Sequence, residues 1–70
     1  MTAIEAHISG VVWRIDCKIG DEIAEGDTVA VLESMKMEMP VESDVSGTVK
    51  EILHREGDKV NEGDPLIVLE

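Results

Sequence analysis

Displaced by 37 positions, the chain lies on itself: residues 10–33 (GVVWRIDCKIGDEIAEGDTVAVLE) fall on residues 47–70 (GTVKEILHREGDKVNEGDPLIVLE), with 11 of the 24 aligned positions identical. The correspondence reaches back through Glu5/Glu42 and Ser9/Ser46, so the halves are residues 3–33 and 40–70, and only 34–39 (SMKMEM) is unrepeated. Two copies are too few for a solenoid. The halves must instead cover each other's apolar faces, which for β units means a sandwich or flattened barrel about a pseudo-two-fold axis. Such an axis maps the junction between the halves onto the two chain ends. The ends are therefore expected side by side, and residues 34–39 at the opposite tip.

Seventy residues suffice for one domain, in the range where a chain buries only about 60% of its unfolded surface. Trp13 is the sole aromatic residue, so the core is expected to be aliphatic: Val, Ile, Leu, Ala and some Met. Sixteen acidic residues against six basic give a net charge of −10. That balance repels phosphate backbones and anionic lipid, so neither nucleic acid nor a membrane is expected as a partner, and it favours a soluble monomer. Cys17 has no second cysteine to pair with, and with only His7 and His54 in support no metal-ligand spacing is present. MTAIEAHIS lacks a basic and an apolar stretch, and VAVL and LIVL are the longest strongly apolar runs. A cytoplasmic protein without secretory signal or membrane span is expected.

Gly, Asp and Pro punctuate the chain at short intervals between Val- and Ile-rich segments, which is the pattern of short strands and frequent turns. The spacing predicts strands at 3–8, 11–17, 22–23, 28–34, 37–45, 48–54, 59–60 and 66–70. The paired segments GDEIAEGD and GDKVNEGD supply the loops. In each, a glycine (Gly20, Gly26, Gly57, Gly63) supplies positive φ, the following aspartate (Asp21, Asp27, Asp58, Asp64) bonds the backbone of the turn, and Ile23 or Val60 is an apolar plug. An acidic cluster repeated in this way, without EF-hand spacing, reads as turn chemistry and not as a calcium site.

The unrepeated segment carries Lys36, the one basic residue without a counterpart; Arg14, Lys18, Lys50, Arg55 and Lys59 sit in or beside repeated elements. Lysine at a hairpin tip offers an amine on a long flexible stem, suited to forming an amide with an activated carboxylate. Glu33 and Glu38 nearby favour the charged amine, so deprotonation is left to a modifying enzyme. Met35, Met37 and Met39 alternate, which on the methionines alone reads first as a buried stripe, a reading that the lysine between them at the repeat junction displaces. Met35-Lys36 also breaks the Asn-Gly or Asp-Gly preference of tight hairpins, and such exceptions gather at functional positions. Ser34 has no histidine within the motif and no GxSxG turn, so hydrolase chemistry is dismissed.

Ser34-Met35-Lys36-Met37 resembles the attachment motif of the biotinyl/lipoyl carrier family, whose biotin branch sets its acceptor lysine between two methionines. The resemblance covers essentially the whole chain: the Gly-x-Val opening, the GDxVxxGD loop, the strand ending in Glu33, the MKM motif, Pro40 and the second GD loop. It implies an all-β flattened barrel of two four-stranded antiparallel sheets, with the lysine on a hairpin turn. It also implies a carrier that is not itself an enzyme. Lys36 would be biotinylated by a biotin protein ligase, and carboxybiotin would shuttle between a biotin carboxylase and a carboxyltransferase. Met35 and Met37, with Glu33, Ser34 and Glu38, would form the surface that partners read, while Met39 and Val41 point inward. The alternative within the family is a lipoyl carrier of an oxidative dehydrogenase complex, or a dual biotin/lipoyl attachment protein; lipoyl carriers usually show DKA or DKV where this chain has MKM. An unmodified interaction domain is the alternative outside it. The connections are too short for the protruding segment of some acetyl-CoA carboxylase carriers, and the chain is compatible with a stand-alone carrier or a carrier domain of a longer carboxylase.

Overall fold

The computed structural model describes residues 2–70, which form eight strands: β1 (Thr2–Glu5), β2 (Gly10–Ile15), β3 (Glu22–Ile23), β4 (Thr28–Ser34), β5 (Met37–Glu42), β6 (Gly47–Ile52), β7 (Lys59–Val60) and β8 (Pro65–Leu69). They make two four-stranded antiparallel sheets, ordered β1-β8-β6-β3 and β5-β4-β2-β7. The 37-residue shift takes β1 to β5, β2 to β6, β3 to β7 and β4 to β8, and so converts the first sheet order into the second. The pseudo-two-fold axis therefore exchanges the sheets, and each sheet draws strands from both halves. Neither half has a complete sheet without the other.

The symmetry extends to the irregularities. Register slips past Trp13 in β2 and past Lys50 in β6, its twin; it slips likewise past Val29 in β4 and past Leu66 in β8. Each bulge sharpens the local twist, which is what lets short strands curve round a common core. All eight expected strands are present, but several end earlier than the apolar pattern suggests. β2 stops at Ile15 and β6 at Ile52: the Asp16 and Leu53 N–H groups each make one more bond within their own half, to the carbonyls of Val29 and Leu66, and the chain then crosses, the Gly20 N–H donating to the Val49 carbonyl and the Gly57 N–H to that of Val12, each at 2.8 Å. β1 and β5 end likewise where Ala6 N–H donates to Asp64 O (2.8 Å) and Ser43 N–H to Asp27 O (2.9 Å).

The GD loops work as the sequence implies, with one refinement. Gly20 and its twin Gly57 both sit at φ 95°, in the region that favours glycine. Each aspartate binds the residue three before it twice over: Asp21 Oδ2 accepts from Lys18 N–H (2.9 Å) while its own N–H donates to Lys18 O (3.0 Å). Asp27 with Ala24, Asp58 with Arg55 and Asp64 with Asn61 repeat this. The Asp58 carboxyl is held below its ordinary 3.8, first by the Arg55 N–H and then by His54, whose Nδ1 lies 3.4 Å from Asp58 Oδ2. A lowered carboxylate stabilises the fold above its unfolded pKa and stops doing so as pH falls through its folded value. Asp58→Asn keeps an acceptor oxygen but cannot titrate, so its melting temperature should fall less than the parent's between about pH 5 and pH 2 in thermal melts.

The core is aliphatic. Val12, Val29, Ala30, Leu32, Val49, Leu66, Ile67 and Leu69 are all but inaccessible to solvent, and Ile23 and Val60 plug the loops. Trp13 is 44% exposed, stacked under the Arg14 guanidinium at 5.3 Å. Cys17 is buried; burial, then Asp21 and Asp16, push its thiol up, so it packs as a small hydrophobe. Ser43 is the one buried polar side chain among the described residues, and its Oγ is satisfied by the backbone of Val45. No helix among the described residues is long and apolar enough to cross a membrane.

The ends meet as the repeat demands. Thr2 lies opposite Leu69 in the β1–β8 ladder. The β4–β5 turn stands apart from them. From Met37, the six residues of β5 and then residues 43–46 intervene before Gly47 arrives beside Leu69 and Glu70.

Candidate functional site

β4 and β5 are joined by two residues, Met35 and Lys36, with Ser34 opposite Met37 at the root of the hairpin. Both turn residues have positive φ, 52° at Met35 and 66° at Lys36; they are the only described non-glycine residues that do. Two successive positive φ values define the turn whose twist matches that of paired strands, which is why Asn-Gly is its usual sequence. Side chains with a Cβ disfavour this geometry by roughly 1–2 kcal/mol each. The sheet below overrules that preference. β4 is hydrogen-bonded on both edges, and Val29, Ala30 and Leu32 anchor it in the core.

The consequence is exposure. Met35 is 92% and Met37 62% accessible, so the methionines are not the buried stripe that their alternation allows. Met35 belongs to the turn and Met37 only begins β5. Farther along β5, Met39 is half-buried and Val41 buried, as expected for residues facing inward. Lys36 is exposed and makes no hydrogen bond or ion pair with the described residues. Glu33 and Glu38 are exposed and face one another across the ladder, immediately below the Ser34–Met37 pair. Like charges directly opposite are mildly destabilising. The hairpin thus combines two unfavourable local choices with an accessible amine, the pattern of a segment kept for something other than stability.

This geometry brings together Glu33, Ser34, Met35, Lys36, Met37 and Glu38, while the eight GD-loop residues lie in the interlocking turns. What sequence reasoning missed is the root of the hairpin. Gly10, at the start of β2, lies against the Glu33 carbonyl and Ser34. Its identity with Gly47 was visible in the repeat, but its closeness to the tip depends on sheet order.

The family described as biotin-requiring enzyme, the biotin/lipoyl attachment family, matches residues 1–69. The chain belongs to this family. A biotin/lipoyl attachment protein of Bacillus subtilis is 50% identical over 38 residues, covering 54% of this chain and 52% of that protein. The biotinylated protein TB7.3 homolog of Mycolicibacterium smegmatis is also 50% identical over 38 residues, 54% of each chain. The matched segment thus spans about half the length of these curated relatives. Among solved structures, the urea carboxylase of Kluyveromyces lactis contains a region with TM-score 0.91 and 36% identity, covering 99% of this chain and 6% of that one. The barrel is accordingly that of the biotinyl domains of carboxylases.

A direct test of the strain follows. Met35→Asn combined with Lys36→Gly restores the residues this turn favours, and should raise stability by about 1–2 kcal/mol, which at this size is a rise of roughly 4–16 °C in Tm. Calorimetry or thermal circular dichroism checks it. An unchanged or lowered Tm would show that the turn is not strained.

Proposed function

We propose that the chain is a single carrier domain, residues 1–70, with Lys36 as the covalent attachment point for biotin. The reading rests on one observation: an unpartnered lysine amine at an exposed, strained hairpin tip, flanked by solvent-facing Met35 and Met37, in a chain of the biotin-requiring family. A biotin protein ligase would form the amide between the Lys36 amine and the activated carboxyl of biotin. The protruding Met35 and Met37, with Glu33, Ser34 and Glu38 around them, are the side chains such a ligase meets first. The GD loops hold the barrel rigid below.

Once loaded, biotin supplies a ring nitrogen that accepts and gives up a carboxyl group. This chain's own contribution is to present it. A rigid tip and a flexible arm keep the ring at an effective concentration of about millimolar in whichever active site the domain visits, without tight docking that would slow its departure. The partners would be a biotin carboxylase and a carboxyltransferase, and the domain itself would catalyse nothing. With a net charge of −10 the domain is read as a cytoplasmic monomer that docks weakly on its partners. Incubation with a purified biotin protein ligase, ATP and biotin tests the reading: a single biotin on Lys36 supports it, and an unmodified protein overturns it. The dual name of the Bacillus subtilis relative favours running lipoate and a lipoate ligase beside it. Lipoylation alone would support the alternative carrier role.

A further inference from the structure

We infer that Gly10 is a positioning residue for the Lys36 hairpin, a role that rests on the carrier reading above. Gly10 is absent from the residues with positive φ, so its backbone conformation does not call for glycine. What calls for it is space. A Cβ at position 10 would lie 2.5 Å from the Glu33 carbonyl oxygen, 3.2 Å from its carbon and 3.4 Å from Ser34 Cβ. The nearest of these atoms belong to backbone and not to a flexible side chain, so an added methyl forces a strand to move.

Which strand moves follows from the packing. Toward the core, β4 is fixed by Val29, Ala30 and Leu32, all fully buried, and by ladders to β2 and β5. Toward the tip, Ser34 is the last β4 residue before the turn. Pressure on the Glu33 carbonyl is therefore released outward, through Ser34 into Met35 and Lys36, and tilts the amine that a modifying enzyme must align. The pseudo-symmetry provides the control. Gly47 occupies the same place at the opposite end, where a Cβ would meet Leu69 Cβ at 3.0 Å and the Glu70 carbonyl at 3.1 Å. The approach is closer at the lysine-bearing end.

The experiment compares Gly10→Ala and Gly47→Ala with the parent, all with trimethylamine N-oxide present so that the comparison is made on folded protein. The first readout is kcat/KM for biotinylation by purified biotin protein ligase with ATP and biotin. The second is the amide exchange rates of Ser34, Met35, Lys36 and Met37 in unmodified protein, which need no ligase. Gly10→Ala should lower kcat/KM about tenfold, short of the hundredfold that a 1 Å misplacement costs, and should speed exchange at the turn. Gly47→Ala should leave both near the parent values. Equal effects from the two variants, no effect from Gly10→Ala, or its failure to fold even with the osmolyte would overturn the positioning role. If the parent takes no biotin, the carrier reading fails, and the exchange rates still decide the role of Gly10.

Discussion

Lys36→Arg should abolish covalent loading while leaving the melting temperature within about 4 °C of the parent. Arginine keeps the charge, the length and the strained backbone position, but its guanidinium stays protonated at any accessible pH and offers no nucleophilic lone pair. Since Lys36 is exposed and makes no hydrogen bond or ion pair with the described residues, stability has little reason to change. The remaining lysines Lys18, Lys50 and Lys59 lie outside the two-residue β4–β5 turn, Lys59 in β7 across Val11 from Glu33, and should not substitute. Co-expression with a biotin ligase followed by streptavidin capture measures this. Capture that survives the substitution would remove Lys36 as acceptor.

The second large effect is expected in the core. Leu66 is fully buried at the β8 bulge, and its carbonyl accepts a hydrogen bond from Leu53 N–H at 2.8 Å. Leu66→Ala leaves a cavity that the tight bulge cannot collapse into, at a cost of about 2–5 kcal/mol. A 70-residue chain at the usual stability per residue holds roughly 4–10 kcal/mol in total. The substitution therefore consumes a large share of it, and a loss near 3 kcal/mol would lower Tm by about 12–24 °C. Urea titration decides the matter: a midpoint within experimental error of the parent would show that the two sheets do not depend on this contact.

The two effects should separate cleanly, one abolishing loading at constant stability and the other lowering stability through the core. That separation is what the interlocked architecture implies. Stability resides in Leu32, Leu66, Ile67, Leu69 and the GD loops that stitch one half to the other, whereas the β4–β5 turn adds local cost and no packing.

Most of this was legible in the sequence because the repeat constrains topology. The pairing of Gly20 with Gly57 and Asp21 with Asp58 located the loops, and the lone unrepeated lysine singled out the candidate site. Strand ends were less legible. Residues 16–17 and 53–54 were expected to extend β2 and β6, but beyond one more in-half bond each, from Asp16 to Val29 and from Leu53 to Leu66, the chain crosses to the opposite half, and only the partner carbonyls of Val49 and Val12 show why. The turn was visible as an anomaly but not as a conformation, since nothing in Met35-Lys36 favours positive φ; the sheet imposes it. Gly10 was hidden for a similar reason. Its neighbour Glu33 is 23 positions away, and the contact exists only because β2 lies beside β4 in the finished sheet.

The most direct test of the central claim is an intact-mass measurement, with peptide mapping, on protein purified from its native host. A single biotin adduct carried on the peptide containing Lys36 is the predicted result. A lipoyl adduct at that lysine, a biotin on any other residue, or a chain whose mass matches the bare sequence would contradict it.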